Sequence, residues 1–211
     1  MQQPPRVDLS PWFLTFDDFD GPIDFRRYFG NDHPVEVDVG CGRGLFLFNA
    51  SETHPQTNYL GIEIDYHEAR RAAHRLQKRQ TPNARILGGD VSIAFGQLIP
   101  AGSVAAVHVY FPDPWWKKKH KKRRVFTDQL VDQMTRVLQP GGLVHSWTDV
   151  ADYFEVIGAL MDHDPRFETL PVPEEHSPEH DLDYQTSFER KKRKAGCPIY
   201  RGRWRLRQGG V

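Results

Sequence analysis

Val35-Glu36-Val37-Asp38-Val39-Gly40-Cys41-Gly42-Arg43-Gly44-Leu45-Phe46-Leu47-Phe48 is the stretch that decides the fold. Its first five residues alternate apolar and acidic side chains, three glycines then turn the chain, and an apolar segment follows that Pro55 closes. That order predicts strand, glycine turn and helix. The unit recurs downstream. Residues 59–64 read as a second strand, and Ala69, Ala72, Ala73 and Leu76 mark one face of a helix otherwise coated with Arg, Lys and Gln. Residues 84–87 form a short third strand ending at Gly88-Gly89-Asp90, and residues 104–111 are the nearly continuous apolar run of a parallel strand covered on both faces. A helix over 125–138 carries Phe126, Leu130, Met134 and Val137 on one side until Pro140-Gly141-Gly142 stops it. A fifth strand over 143–147 ends at Thr148-Asp149, followed by a helix bearing Phe154, Ile157, Leu160 and Met161. Such alternation implies an α/β fold, a mostly parallel sheet with helices on both faces and right-handed crossovers.

The ends of the chain read differently. Residues 1–34 mix Pro, Asp and aromatics without a sustained period and are expected to form an N-terminal arm packed through Trp12, Phe13, Phe16 and Phe19, with residues 35–211 as one domain. Residues 165–183, rich in Pro, Glu and His, read as a loop. In residues 200–207 the period is two, with Tyr200, Trp204 and Leu206 on one face and four arginines on the other, a C-terminal strand with one cationic side.

With 211 residues and 38% hydrophobic content, one domain can bury roughly 70% of the surface its unfolded chain exposes, so neither disulfides nor metals are needed to hold it. Cys41 and Cys197 are far apart and lack partners at zinc-ligand spacing, Cys41 reads as a small filler of the turn, and a reducing cytoplasm is the expected compartment. No export signal is visible, and no segment approaches the roughly 20 apolar residues of a membrane span. His176 and His180 stand four apart, but Pro178 lies between them in an acidic loop, so they read as a solvated pair and no metal is expected.

The 28 Lys+Arg and 28 Asp+Glu balance to a net charge of zero, yet the charges are segregated. Seven cations fall within residues 117–124 and nine within 190–207, whereas residues 151–183 hold ten acids against the single Arg166. Two cationic windows suit a polyanion.

The glycine turn does not fit a dinucleotide fingerprint, because the last glycine of Gly-x-Gly-x-x-Gly would fall at Leu45. An acid-x-Gly-x-Gly-x-Gly motif headed by Asp38 instead resembles the first motif of Rossmann-like, class I S-adenosylmethionine-dependent methyltransferases. Glu63, 23 residues past Gly40 and at the end of the second strand, is placed to accept hydrogen bonds from ribose hydroxyls, and Asp90 to meet the adenine end. Glu36 shares a strand side with Asp38, one pleat further back.

At the end of the fourth strand, prolines on both sides of Asp113 in Phe111-Pro112-Asp113-Pro114-Trp115-Trp116-Lys117 restrict the backbone and hold one carboxylate at a fixed place before the cationic run. This segment resembles the bacterial-type tRNA (guanine-N7-)-methyltransferases, which methylate the guanosine at variable-loop position 46. Further pieces of the resemblance are Phe29-Gly30-Asn31-Asp32, Gly61-Ile62-Glu63, Thr148-Asp149 and Thr186-Ser187-Phe188-Glu189, so that it spans about residues 25–207. It implies S-adenosyl-L-methionine as cofactor, held at Asp38, Gly40, Gly42, Glu63, Asp90 and Asp113, and tRNA as partner, contacted at Lys117, Asp149, Thr186 and Glu189. Asp113 is the candidate catalytic carboxylate, with Trp115 or Trp116 stacking on the base. Departures are Asp38, where the family often has Glu, and Ser187, where it often has Lys. No obligatory protein partner is indicated, and monomer and homodimer both stay open. The alternatives are a methyltransferase of the same fold acting on another RNA site or an amine, an inactive RNA-binding module, and, disfavoured by Leu45, a nicotinamide oxidoreductase.

Overall fold

The computed structural model describes residues 7–115, 124–172, 184 and 186–209. In chain order the elements are β1 (Phe13–Thr15), a 3-10 turn (Phe16–Asp18), α1 (Phe25–Phe29), β2 (Val35–Val39), α2 (Leu45–Thr53), β3 (Asn58–Glu63) and α3 (Tyr66–Lys78). There follow β4 (Ala84–Gly88), α4 (Val91–Ile93) running into a π-helical turn (Ala94–Leu98), β5 (Val104–Tyr110), α5 (Asp128–Val137) and β6 (Leu138–Thr148). The chain closes with α6 (Ala151–Asp162), β7 (Phe167–Thr169), α7 (Ser187–Lys194) and β8 (Tyr200–Leu206).

The strands form one eight-stranded sheet in the order β1-β4-β3-β2-β5-β6-β8-β7. Among the described strands only β8 is reversed, antiparallel to both β6 and β7. Strand order reverses between β2 and β5, so the crevice outside their carboxyl ends is where an open α/β sheet binds its ligand. On one face Val37, Val39, Val107 and Val109 meet Leu130, Met134, Ile157 and Met161 of α5 and α6. On the other, Tyr59 and Ile86 meet Phe46 and Leu47 of α2 and the fully buried Ala69, Ala72, Ala73 and Leu76 of α3. The alanine stripe brings α3 close to the sheet, and Asp65 caps its start by accepting from His67 N–H (2.9 Å) and Glu68 N–H (3.2 Å).

Several boundaries depart from the sequence reading. The arm adds the edge strand β1, pairing Phe13 with Ile86 and Thr15 with Gly88, while Trp12 Nε1 donates to Thr81 O (2.7 Å). Within the segment read as a loop, Phe167–Thr169 pairs with β8 and buries Phe167; three residues are too few to show a period. Helix α5 starts at Asp128 because the Thr127 side chain caps it, accepting from Leu130 N–H, so Phe126 is buried ahead of the helix. Pro140-Gly141-Gly142 lies within β6 as an irregularity in its pairing with β5, not as a separate stop.

Gly44 sets how closely α2 approaches α3. Its φ is +66°, and a Cβ there would stand 2.9 Å from the Cβ of Ala72. Gly44→Ala is expected to lower the unfolding free energy by about 1–3 kcal/mol. In urea melts, adding Ala72→Gly should restore part of that loss as a coupling of at least about 0.5 kcal/mol; strictly additive effects would contradict the close approach.

Candidate active site

The glycine turn is tied down at its base. Gly40 N–H and Cys41 N–H both donate to the Ile62 carbonyl, at 2.8 and 3.2 Å. Gly42 N–H donates to Glu63 Oε2 (2.8 Å), and the other oxygen of the same carboxylate accepts from Asp65 N–H (2.9 Å). Glu63 therefore fixes the turn and the start of α3 together and retains lone pairs for a ligand. Gly61 lets the turn lie flat on β3, since a Cβ there would meet Leu47 Cδ1 at 2.7 Å and Cys41 Sγ at 2.8 Å.

A cleft of about 700 Å³ opens at the carboxyl ends of β2 to β5. Gly40, Glu63, Asp90 and Asp113 line it together with Tyr110 and Trp115. Asp90 accepts from Ser92 N–H (2.7 Å), capping the short α4, and Phe16 of the N-terminal segment packs over the adjacent Gly89. The far wall comes from α5 and its approach, with Gln129 and Gln133 both donating to Ser92. Gln133 Oε1 is buried with no hydrogen-bond partner among the described residues.

Asp38 stands elsewhere. It is 4% exposed and lies under the glycine turn, outside the residues that line the cleft. Burial, with the negative Glu63 second, pushes its carboxyl up to about 8. The same burial, with Asp38 and Glu63 adding to it, pushes the Cys41 thiol well up, which makes Cys41 a poor nucleophile. Glu36 is bound to His108 Nε2 (2.8 Å), whose Nδ1 meets the Tyr110 hydroxyl (2.9 Å). His145 stacks on His108 at 5.0 Å and is pushed down to about 3 by burial, then by His108 and Arg203. The two rings lie side by side on the neighbouring strands β5 and β6.

The Pro-Asp-Pro corner is stiffer than its prolines alone require. Phe111 and Trp115, which bracket it, both adopt left-handed φ, at +52° and +41°, unusual for bulky side chains and typical of functional sites. Arg124 Nε donates to Pro114 O (2.7 Å) and its guanidinium lies 5.3 Å from the centre of the Tyr153 ring, so the returning chain clamps the corner. Asp113 is exposed at the rim. Lys117, Trp116 and the rest of the cationic run to Arg123 lie outside the described residues, as do His176 and His180.

Asp149, Thr186 and Glu189 are brought together by α7, a helix that the sequence reading missed. Thr186 caps it by accepting from Glu189 N–H (3.0 Å), and Thr-x-x-Glu is the helix-start pattern that was there to be seen. Phe188 meets Phe111 at 5.2 Å, and Lys192 binds Asp149 at 2.7 Å. Glu189 is buried and accepts from Arg193 Nε (2.7 Å). The Asp149–Lys192 pair thus fastens α7 to the end of β6, whereas Glu189 and Arg193 pair within the helix. Arg124 was read only as part of the cationic window, and the Ser92, Gln129 and Gln133 group was missed because nothing local in the sequence sets it apart. Among the described residues there is no group of His, Cys, Asp or Glu that could hold a metal ion, and no helix is long and apolar enough to cross a membrane.

The sheet resembles that of solved methyltransferases at low sequence identity. The 16S rRNA methyltransferase KamB superposes with a TM-score of 0.64 at 14% identity, covering 88% of this chain and 94% of that one. The aminoglycoside resistance methyltransferase NpmB1 gives 0.59 at 15%, covering 87% and 92%. These likenesses speak for the fold. Sequence goes further: residues 32–202 match a family model described as putative methyltransferase. The tRNA (guanine-N(7)-)-methyltransferase of Rhodopirellula baltica is 45% identical over 209 residues, covering 96% of this chain and 77% of that protein. The enzyme of the same name from Geobacter metallireducens is 30% identical, covering 90% of each chain. With the glycine turn and the Pro-Asp-Pro corner meeting at one cleft, this places the chain in the tRNA (guanine-N(7)-)-methyltransferase family.

Proposed function

We propose that this chain transfers a methyl group from S-adenosyl-L-methionine to N7 of guanine at variable-loop position 46 of tRNA, giving 7-methylguanosine. The observation that carries the reading is one cleft with Glu63 and Asp90 at one end and Asp113, on its strained corner, at the other. The names borne by the relatives support it, and the chemistry asks for no general base. Guanine N7 carries an in-plane lone pair and no proton.

The residues fit the cofactor. Glu63 and Asp90 offer carboxylate oxygens to ribose hydroxyls and to the adenine side, and the orphaned Gln133 Oε1 is an acceptor suited to an exocyclic amine. Bound there, S-adenosylmethionine supplies an electrophilic methyl on a sulfonium. The chain's own tasks are then to orient the guanine, keep water out and offer negative charge as the purine becomes cationic. Asp113 serves the first and third, toward the N–H edge of the base, and Trp115 lines the cleft where a base would stack. Thr186 caps α7 and Asp149 holds it through Lys192 as the wall on the substrate side, with Glu189 orienting Arg193 within the helix. Residues 35–211 act as one domain, with the N-terminal segment sealing the Gly89 side.

Incubating the purified chain with unmodified tRNA and labelled cofactor, then cleaving at 7-methylguanosine, should locate the label at the variable-loop guanosine. Label at another nucleotide, or none, would sink the assignment. Asp113→Ala should lower kcat by about 100-fold or more while cofactor affinity changes less than about tenfold; near-normal turnover would remove Asp113 from the centre.

Asp38 makes a pH prediction. Its carboxyl, raised to about 8, is mostly protonated in the free chain at pH 7, and a neighbouring sulfonium or ammonium favours its ionised form. Cofactor binding should therefore tighten as pH rises toward 8, by up to about tenfold per unit. Asp38→Asn, titrated beside the parent so that the cofactor's own ionisation cancels, should lose that slope. Parallel profiles would show that Asp38 does not sense the cofactor.

A further inference from the structure

A second groove, of about 400 Å³, runs between α2 and α3 on the outer side of the glycine turn. Leu45 and Phe48 form its apolar floor, and Arg71, His74, Arg75, Lys78 and Arg79 its wall. No acid lines it. These basic side chains repeat at helical spacing, so from Arg71 to Arg79 they make a row about 12 Å long, at 1.5 Å per residue. A row of that length can follow a nucleic-acid backbone over about two or three successive phosphates.

The row is poorly compensated. Glu68 binds both Arg71 (2.9 Å) and Arg43 (2.7 Å) at its upper end. Below that point His74, Arg75, Lys78 and Arg79 make no ion pair among the described residues. Arg79 lies over the Phe48 ring at 5.5 Å, which holds its guanidinium against the floor. Arg75 is half-buried, and its basicity is lowered by burial, then by repulsion from Arg190 of α7 and from Arg43. Cations gathered this closely repel one another, a cost that a polyanion in the groove relieves. Arg190 also ties the groove to the basic α7, whose Phe188 and Lys192 contact the cleft rim through Phe111 and Asp149.

We propose that the α2–α3 groove is a phosphate-binding track for the tRNA backbone, engaging the part of the substrate that leaves the cleft past α7. It lies apart from both cationic windows of the sequence and supplies affinity and orientation without reading bases. The inference rests on the reading of tRNA as substrate.

The test is the salt dependence of tRNA binding, measured with an unmodified transcript from about 50 to 300 mM KCl for the parent chain and for Arg75→Gln/Lys78→Gln/Arg79→Gln. Each lost phosphate contact flattens the slope of log K against log salt by about 0.7–0.9, so the triple variant should lose about 2 from that slope. Its low-salt affinity should fall at least tenfold and its KM for tRNA should rise, while kcat at saturating tRNA, the methylated position and cofactor affinity stay as in the parent. Arg75→Lys/Arg79→Lys, which keeps the charge, should retain the parental slope; a loss there equal to that of the triple variant would point to local structure and overturn the track. An unchanged slope in the triple variant, with the parent methylating tRNA normally, overturns the groove alone. A parent that does not methylate tRNA overturns the functional reading instead.

Discussion

The Glu63 carboxylate accepting from Gly42 N–H on one side and Asp65 N–H on the other is the contact on which the site depends. Charge-assisted bonds of this kind are worth about 1.5–3 kcal/mol each when partly shielded. Through them the end of β3 dictates the path of the glycine turn, and the turn dictates where α2 enters. Gly44 must then pass within touching distance of Ala72, and Gly61 must leave room for Cys41 and Leu47. The same closure seals Asp38 from water, and this burial, not a sequence motif, sets the carboxyl's high pKa. A single acid thus couples cofactor cradle, helix packing and the ionisation of its neighbour.

Opposite this acidic end, the chain assembles a substrate side by different means. The Phe111 to Trp115 corner is held in an uncommon backbone conformation by Trp147 O, which accepts from Phe111 N–H (2.7 Å), and by Arg124 on Pro114 O. Helix α7 is capped by Thr186 and fastened through Lys192 to Asp149, and its Arg190 stands near Arg75 of the groove on α3. The zero net charge of the sequence is therefore a sum over segregated regions: cations gathered in residues 117–124 and 190–207, and acids partly at the cleft, in Glu63, Asp90 and Asp113, and partly in residues 151–183.

Much of this was legible because the signals were local and repeated. Strand alternation in Val35–Val39, three glycines in five residues and acids at strand ends read through to β2, the turn and the cleft, and the alternation in Tyr200–Leu206 read through to the reversed β8. The edge strands β1 and β7 were hidden because three residues carry no period and their pairing is a tertiary event. Helix α7 was hidden by its charge, which read as one basic window with β8, although Thr186-x-x-Glu189 marked its start. Asp38 was read as a cofactor contact in the cleft, whereas the structure buries it outside the residues that line the cleft, because its burial is a tertiary event that the motif does not reveal. The α3 row looked like an ordinary solvated coat, and only the neighbouring Arg190, Arg43 and Phe48 distinguish it.

The central claim is that one cleft holds the cofactor between Glu63 and Asp90 with its reactive end turned to the Phe111–Trp115 corner. A crystal structure with S-adenosylhomocysteine tests it most directly. The account predicts ribose hydroxyls on Glu63 while Gly42 N–H keeps its bond to that carboxylate, the adenine beside Asp90 and Gln133, and the sulfur facing Asp113. A nucleoside bound elsewhere, or Glu63 released from the turn to reach it, would contradict the account.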